Sequence, residues 1–172
     1  MKDKLIHKKF KLNGDYYSVE GLLAYFKDNK DYYNFLTSWF DKKDFIIVHT
    51  SGSVGAPKEI KLKKIDLISS AKLTAKYFDL KPDDKLLGCL PVQYIAGKMM
   101  MVRSLVLGLD LHLFNVSSTP ISNLDKLYDL AAFTPMQLEN SLDYIHKIKN
   151  IIVGGSAVNA VLKEKILDSK SN

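Results

Sequence analysis

Apolar residues first recur along this chain at helical intervals, and later gather in short blocks separated by further helical stretches. Val19, Leu22, Leu23 and Phe26 keep a three-to-four-residue spacing, with Ser18 placed to cap and Glu20 in the first turn. Tyr32, Phe35, Leu36, Trp39 and Phe40 form a second stripe after Asp31. Two amphipathic helices packing on a sheet are predicted there. Phe45–His49 is a compact β-branched run and predicts a buried strand. After a stretch of small and hydroxylated residues, Ile60, Leu62 and Lys64 alternate with charges, the pattern of a half-exposed strand.

Residues 65–80 predict a helix ending before the turn Lys81-Pro82-Asp83-Asp84. Strands are predicted over 86–90, 109–114, 131–134 and 151–153. Between them fall helices over 94–107, with Gly108 as C-cap, and 124–130. Two more run over 136–147, starting after Pro135, and over 158–167. Strands alternating with helices define an α/β fold, a doubly wound and mostly parallel sheet flanked by helices. The chain shows no repeat and no dividing linker. Ligands of such sheets lie at the carboxyl ends of strands, where Thr50, Pro91 and Gly154 fall.

Length and composition narrow the class. With 172 residues, 47% of them hydrophobic, the chain has room for one domain, or two small lobes sharing a sheet. Loose structure is expected only in the first ten residues and over 168–172. The lone Cys89 lies in an apolar run, which marks it as a buried structural thiol and fits a reducing compartment. No stretch has the length of a signal-peptide core or a membrane span, so a soluble, cytoplasmic protein is expected. The net charge of +6 does not require nucleic acid. Every basic residue but Arg103 is lysine, spread among Asp and Glu as on a solvated surface, and base readout favours arginine. Polyphosphate is a sufficient partner for that sign.

The chemistry concentrates in Thr50-Ser51-Gly52-Ser53-Val54-Gly55-Ala56-Pro57-Lys58. Three hydroxyls and two glycines can surround a polyanion with O–H and N–H donors, and Lys58 adds a compact charge at the end. This is not a Walker loop, because Pro57 parts Gly55 from Lys58 and a strand follows instead of a helix. No dinucleotide fingerprint occurs either. The histidines show no metal-ligand spacing, and no metal site is predicted from side chains. His49 and His112 fit structural places at or in strands, and His146 fits the surface. Asp83-Asp84 reads as a turn and Met99-Met100-Met101 as core.

The loop resembles the signature loop of the adenylate-forming superfamily, T-S-G-[ST]-T-G-x-P-K, departing only at Val54, where threonine is usual and a hydroxyl is lost. Leu90-Pro91-Val92-Gln93-Tyr94-Ile95-Ala96-Gly97 resembles the family's P-x-x-H-x-x-G segment, with Tyr94 in place of histidine. The continuation Met101-Val102-Arg103-Ser104 to Gly108 is similar to o-succinylbenzoate–CoA ligases of the menaquinone pathway. Thr134-Pro135 and Ile152-Val153-Gly154-Gly155-Ser156-Ala157 resemble two further family segments. The likeness covers 45–167, after a helical lead-in over 1–44, and implies that 1–172 is a truncated N-terminal AMP-binding domain, with the C-terminal domain expected to be absent from it.

The resemblance implies an AMP-forming acid–CoA ligase. A carboxylate would be adenylated by ATP with Mg²⁺, then passed to CoA. Thr50, Ser51, Gly52, Ser53, Gly55 and Lys58 would hold the phosphates, Lys58 also in a catalytic role. Gly154 and Gly155 would let adenine or acyl group approach backbone. Tyr94, Gly97, Arg103 and Ser156 would meet the acid, Arg103 pairing with a carboxylate. The family's acidic ATP-and-metal segment, ribose-binding aspartate and C-terminal lysine would follow residue 172, so little activity is expected of this stretch alone. A non-catalytic nucleotide- or acyl-binding module is the alternative. Partners would be small molecules, with neither nucleic acid nor a membrane span, and a homo-oligomer is compatible with the family.

Overall fold

The computed structural model describes residues 5–49, 58–121 and 124–169. Among these the strands are β1 (Lys11–Leu12), β2 (Asp15–Tyr16), β3 (Phe45–His49), β4 (Glu59–Lys63), β5 (Lys85–Gly88), β6 (Asp110–Leu113), β7 (Tyr128–Phe133) and β8 (Ile148–Val153). The helices are α1 (Val19–Tyr25), α2 (Lys30–Phe40), α3 (Lys64–Phe78), α4 (Ile95–Leu107), α5 (Pro135–Glu139) and α6 (Ala160–Ser169), with a 3-10 helix over Leu142–Lys147. Six strands form one sheet in the order β2-β1-β6-β5-β7-β8, parallel except for the β1–β2 pair. The predicted α/β architecture is present.

Side-chain alternation explains why both faces are covered. Leu86 and Leu130 enter one core, shared with Leu22, Leu36 and Trp39 of the first two helices and with Ala71, Met101 and Leu105 of α3 and α4. Their neighbours Leu87 and Ala131 enter a second core with Phe133, Leu138 and Ile145 on the opposite face. Each fully buried Leu stabilises the fold by about 1.5–3 kcal/mol. Met99, Met100 and Met101 are buried, as their helical position predicts.

Local signals place most boundaries. The Ser18 hydroxyl accepts the Gly21 N–H, and α1 begins there. Gly108 closes α4 in the left-handed region. Thr134 and Gln137 form a reciprocal capping box, with Pro135 opening α5.

Several expectations are corrected. Residues 5–10 are not loose, since Leu5 and Phe10 are buried and the Trp39 indole N–H donates to the Leu5 carbonyl at 3.0 Å. The lead-in is not wholly helical: Asn13 and Gly14, both at positive φ, turn β1 back into β2. The helix predicted over 124–130 is absent, because residues 128–130 belong to β7. That strand is buried on both faces between β5 and β8, so it carries no alternation to betray it. The single helix predicted over 136–147 divides at Asn140 and Ser141 into α5 and the 3-10 turn. Phe45–His49 is a strand as predicted, but not a fully buried one. It pairs with β4 in a separate two-stranded antiparallel sheet, with Ile46 1% exposed and Ile47 41%.

Candidate functional site

The parallel order places the β5, β6, β7 and β8 carboxyl ends along one edge, and β5 continues to α4 on one side while β7 lies on its other side. Such a switch in winding direction opens a crevice. A cavity of 840 Å³ lies there. Leu90, Pro91, Tyr94 and Ile95 come to it from the β5–α4 connection, Val116, Ser117 and Ser118 from beyond β6. Ala132, Phe133, Thr134 and Gln137 come from the end of β7, and Ile152, Gly154 and Gly155 from the end of β8.

The β3–β4 hairpin supplies the remaining wall. Its apolar face carries Val48, Ile60 and Leu62 to the cavity, with Val48 directly opposite Ile60 in the ladder. At the end where the chain passes from one strand to the other, His49 pairs with Glu59, and His49 Nε2 lies 3.5 Å from Glu59 Oε1. The residues joining those two strands are the hydroxyl-rich stretch and Lys58. Thr50, Ser51, Gly52, Ser53, Val54 and Gly55 lie outside the described residues; Lys58, which follows them, is exposed. The hairpin ends that carry this stretch are therefore at the cavity rim.

Much of the polar chemistry in the wall is already engaged within it. Gln137 donates to the Ser117 carbonyl at 2.9 Å, and its carbonyl accepts the Thr134 N–H at 3.1 Å. Lys98, on α4, donates to the carbonyls of Val92 and Gln93 at 2.7 and 2.6 Å, and Gln93 reaches Asp31 at 2.6 Å. These bonds tie the loop that presents Tyr94 to α2 and to the first turn of α4. Burial lowers the Lys98 pKa, against a smaller opposing effect of Asp31.

The predicted acid-binding residues separate into two groups. Tyr94 lines the cavity and is 54% exposed. Gly97, Arg103 and Ser156 are not among the lining residues. Gly97 is buried where α4 meets the preceding loop, and a Cβ there would overlap the Pro91 carbonyl oxygen and stand 2.7 Å from that of Leu90. Ser156 is exposed beyond Gly155. Arg103 points to α3: its Nε donates to Thr74 Oγ1 at 3.2 Å, and its Nη1 contacts Met100 Sδ at 3.6 Å. Gly154 and Gly155, predicted to let adenine or acyl group approach backbone, both line the cavity, Gly155 at φ +94°.

The other candidates take structural places. His112 in β6 is buried against Asp110, 3.0 Å away, and meets Tyr128 edge-on. Asp83 turns at positive φ and receives Lys9 and Lys11. The Cys89 thiol is buried, and that burial pushes its pKa up to about 12. His146 is exposed. Sequence reasoning missed the hairpin wall of Ile60 and Leu62, whose signal was the alternation with charge, and the Val116–Ser118 wall, which carries no such pattern. Among the described residues no helix is long and apolar enough to cross a membrane, and no group of three His, Cys, Asp or Glu side chains could hold a metal ion.

No protein-family model and no curated protein matches this chain. Solved structures do. An acyl-CoA synthetase (AMP-forming)/AMP-acid ligase II-like protein from Dyadobacter fermentans superposes with a TM-score of 0.71 at 35% identity, over 81% of this chain and 43% of its own. An o-succinylbenzoate coenzyme A synthetase from Bacillus subtilis, in complex with AMP, gives 0.60 at 20% identity, over 72% of this chain and 27% of its own. ATP-bound MatB from Rhodopseudomonas palustris gives 0.60 at 14%, over 88% and 41%. The chain has the fold of the N-terminal domain of adenylate-forming enzymes. It spans less than half the length of these relatives.

Proposed function

We propose that this chain is the nucleotide- and acid-binding part of an ATP-dependent acid–CoA ligase of the AMP-forming class. The observation that carries the reading is the β3–β4 hairpin, whose strand end at His49 lines the cavity and leads in sequence into the hydroxyl-rich stretch. The inner face of the hairpin walls this apolar cavity at the carboxyl edge of a parallel sheet. The likeness to the Dyadobacter protein supports the same class.

The cavity would take the acid, and the donors of residues 50–58 would hold the phosphates, so that carboxylate and α-phosphate meet at the hairpin end. Each hydrogen bond to a charged phosphate contributes about 1.5–3 kcal/mol. Lys58 would offset charge as pyrophosphate leaves, and the wall would keep water from the mixed anhydride. Mg²⁺ would accompany ATP, but the described residues supply no cluster of ligands for it, and none is assigned. CoA would displace AMP in the second half-reaction. A soluble, cytoplasmic protein acting on small molecules is consistent with this chemistry. o-Succinylbenzoate, the acid named for the Bacillus enzyme, is the substrate to which the sequence around Arg103 points. The Arg103 contacts with Thr74 and Met100 do not support that choice.

Titration calorimetry of the chain with ATP and with AMP tests the reading. Micromolar to millimolar binding, weakened roughly tenfold in Lys58→Ala by loss of one charge-assisted contact, is the expected result. Absence of nucleotide binding would overturn it. Binding without pyrophosphate release on adding acid would favour the non-catalytic module.

A further inference from the structure

We propose that the acid taken by this cavity is neutral and apolar beyond the carboxyl that reacts, an aliphatic or aryl chain without a second charge. The proposal rests on reading the cavity as an adenylation site, and it names the substrate class.

Val48, Ile60, Leu62, Leu90, Phe133 and Ile152 make the hydrocarbon part of the wall. Among the described lining residues the titratable side chains are His49 and Tyr94 alone, and His49 already faces Glu59 at 3.5 Å. The Thr134 hydroxyl donates to the Gln137 side-chain carbonyl, and the Gln137 amide NH2 donates to the Ser117 carbonyl. Cations near the wall are turned elsewhere. Lys61 and Lys63 alternate with Ile60 and Leu62 and so take the other face of the hairpin, Lys61 lying 5.0 Å over the Phe45 ring. Lys98 is bonded to two loop carbonyls, and Arg103 to Thr74.

Residues 50–57 and 122–123 contain no Lys, Arg or His, so neither stretch brings a cation to the wall. Lys58 follows the first of them and answers the phosphates in the same reading. A second carboxylate entering this space would shed its water and find no counter-charge among the described lining residues, whereas hydrocarbon would gain by leaving water.

Three ligands separate this proposal from the reading beneath it: adenosine 5′-sulfamate, its N-octanoyl derivative, and its N-suberoyl derivative, which carries a carboxylate in place of the terminal methyl. Calorimetry on the full chain should find the octanoyl compound at least tenfold tighter than the sulfamate, from burial of its methylenes. The suberoyl compound should bind about 100-fold more weakly than the octanoyl one, the penalty of one unpaired charge. Ile60→Lys, at a lining position 41% exposed, should narrow that gap by bringing an ammonium to the wall. Circular dichroism would verify that the variant is folded. Equal binding of the two acyl compounds, with sulfamate binding intact, overturns the substrate class and leaves the nucleotide reading standing. Failure of all three ligands to bind overturns both.

Discussion

The Lys64 ammonium sits 2.8 Å from Asp41 Oδ1 and 3.1 Å from the Asp41 carbonyl, bracing the end of α2 against the start of α3. Lys64 is 5% exposed, and Asp41 is the carboxylate it meets there. Partial burial of the Asp41 carboxyl works against ionisation. Hydrogen bonds from Lys64 and from the Lys43 N–H outweigh it, and the pKa lies below the ordinary 3.8. A carboxyl with the lower pKa in the folded chain binds fewer protons there than in the unfolded one. Its stabilisation is therefore full at neutral pH and is lost as pH falls from about 4 through the folded-state value. Lys64→Met should cost roughly 1–3 kcal/mol at pH 7, the range of a charged hydrogen bond. Urea unfolding at pH 7 and pH 3 checks this: the difference between wild type and variant should shrink at the lower pH.

Gly97 supports the cavity without lining it. Any side chain there meets the Pro91 and Leu90 carbonyls, which are backbone and cannot rotate away. Gly97→Ala should destabilise the fold by roughly 1–3 kcal/mol, the usual cost of overpacking, and displace the loop that carries Tyr94. Thermal unfolding should show a drop of several degrees. An unchanged melting temperature would mean that the loop yields freely, and would remove Gly97 from any part in shaping the site.

Residues 5–10 are predicted to be integral to stability, though the pattern of charges there reads as a loose terminus. Phe10 is 1% exposed, and the Leu5 carbonyl takes the indole N–H of Trp39, the only tryptophan. Phe10→Ala should cost about 3–5 kcal/mol, the usual result of emptying a buried aromatic site. The intrinsic fluorescence of Trp39 reports the transition directly. A loss below 1 kcal/mol would show that this segment adds little to the core.

How far the fold was legible depended on whether a local signal or a distant partner decided each element. Ser18, Gly108 and Thr134 with Pro135 are local signals, and the helices they bound are where they place them. Leu124, Leu127 and Leu130 imitate a helix at three-residue spacing, yet Leu130 is drawn into β7 by strands on both sides, which no local pattern records. Asn13-Gly14 did carry a hairpin signal, but strands of only two residues on each side left no alternation around it. At the site, Gly154 and Gly155 reach the cavity by standing just past the end of β8, and Tyr94 by standing at the start of α4. Arg103 stands two turns into α4, and which way it faces is set by the packing of α3, not by its own neighbours in sequence.

Cys89 lies just past β5, close to the cavity in sequence, and its chemistry follows from burial. The thiol is 1% exposed, has the Ala132 carbonyl 3.6 Å away, and has its pKa pushed up to about 12. A thiolate is the reacting form, so folded protein at pH 8 should alkylate with iodoacetamide far more slowly than the unfolded chain. Mass spectrometry of native and urea-unfolded samples checks this. Rapid native labelling would show that the strand end opens on the timescale of the reaction, and would call into question a rigid cavity wall beside it.

Tyr94 separates two ways in which an aromatic can serve this cavity. It caps no helix with its side chain, although α4 begins at the next residue, and its ring lies on the lining at 54% exposure. If its contribution is apolar area, Tyr94→Phe should bind the octanoyl sulfamate within about twofold of wild type, since ring area is retained. Tyr94→Ala removes the ring from the wall and should weaken the same ligand roughly tenfold, the equivalent of about 1.4 kcal/mol. Binding of the unacylated sulfamate should be unchanged in both, because the ring is assigned to the acid and not to the nucleotide. Equal losses in Phe and Ala variants would instead give the work to the hydroxyl. A loss of sulfamate binding in Tyr94→Ala would move this residue to the nucleotide end of the cavity.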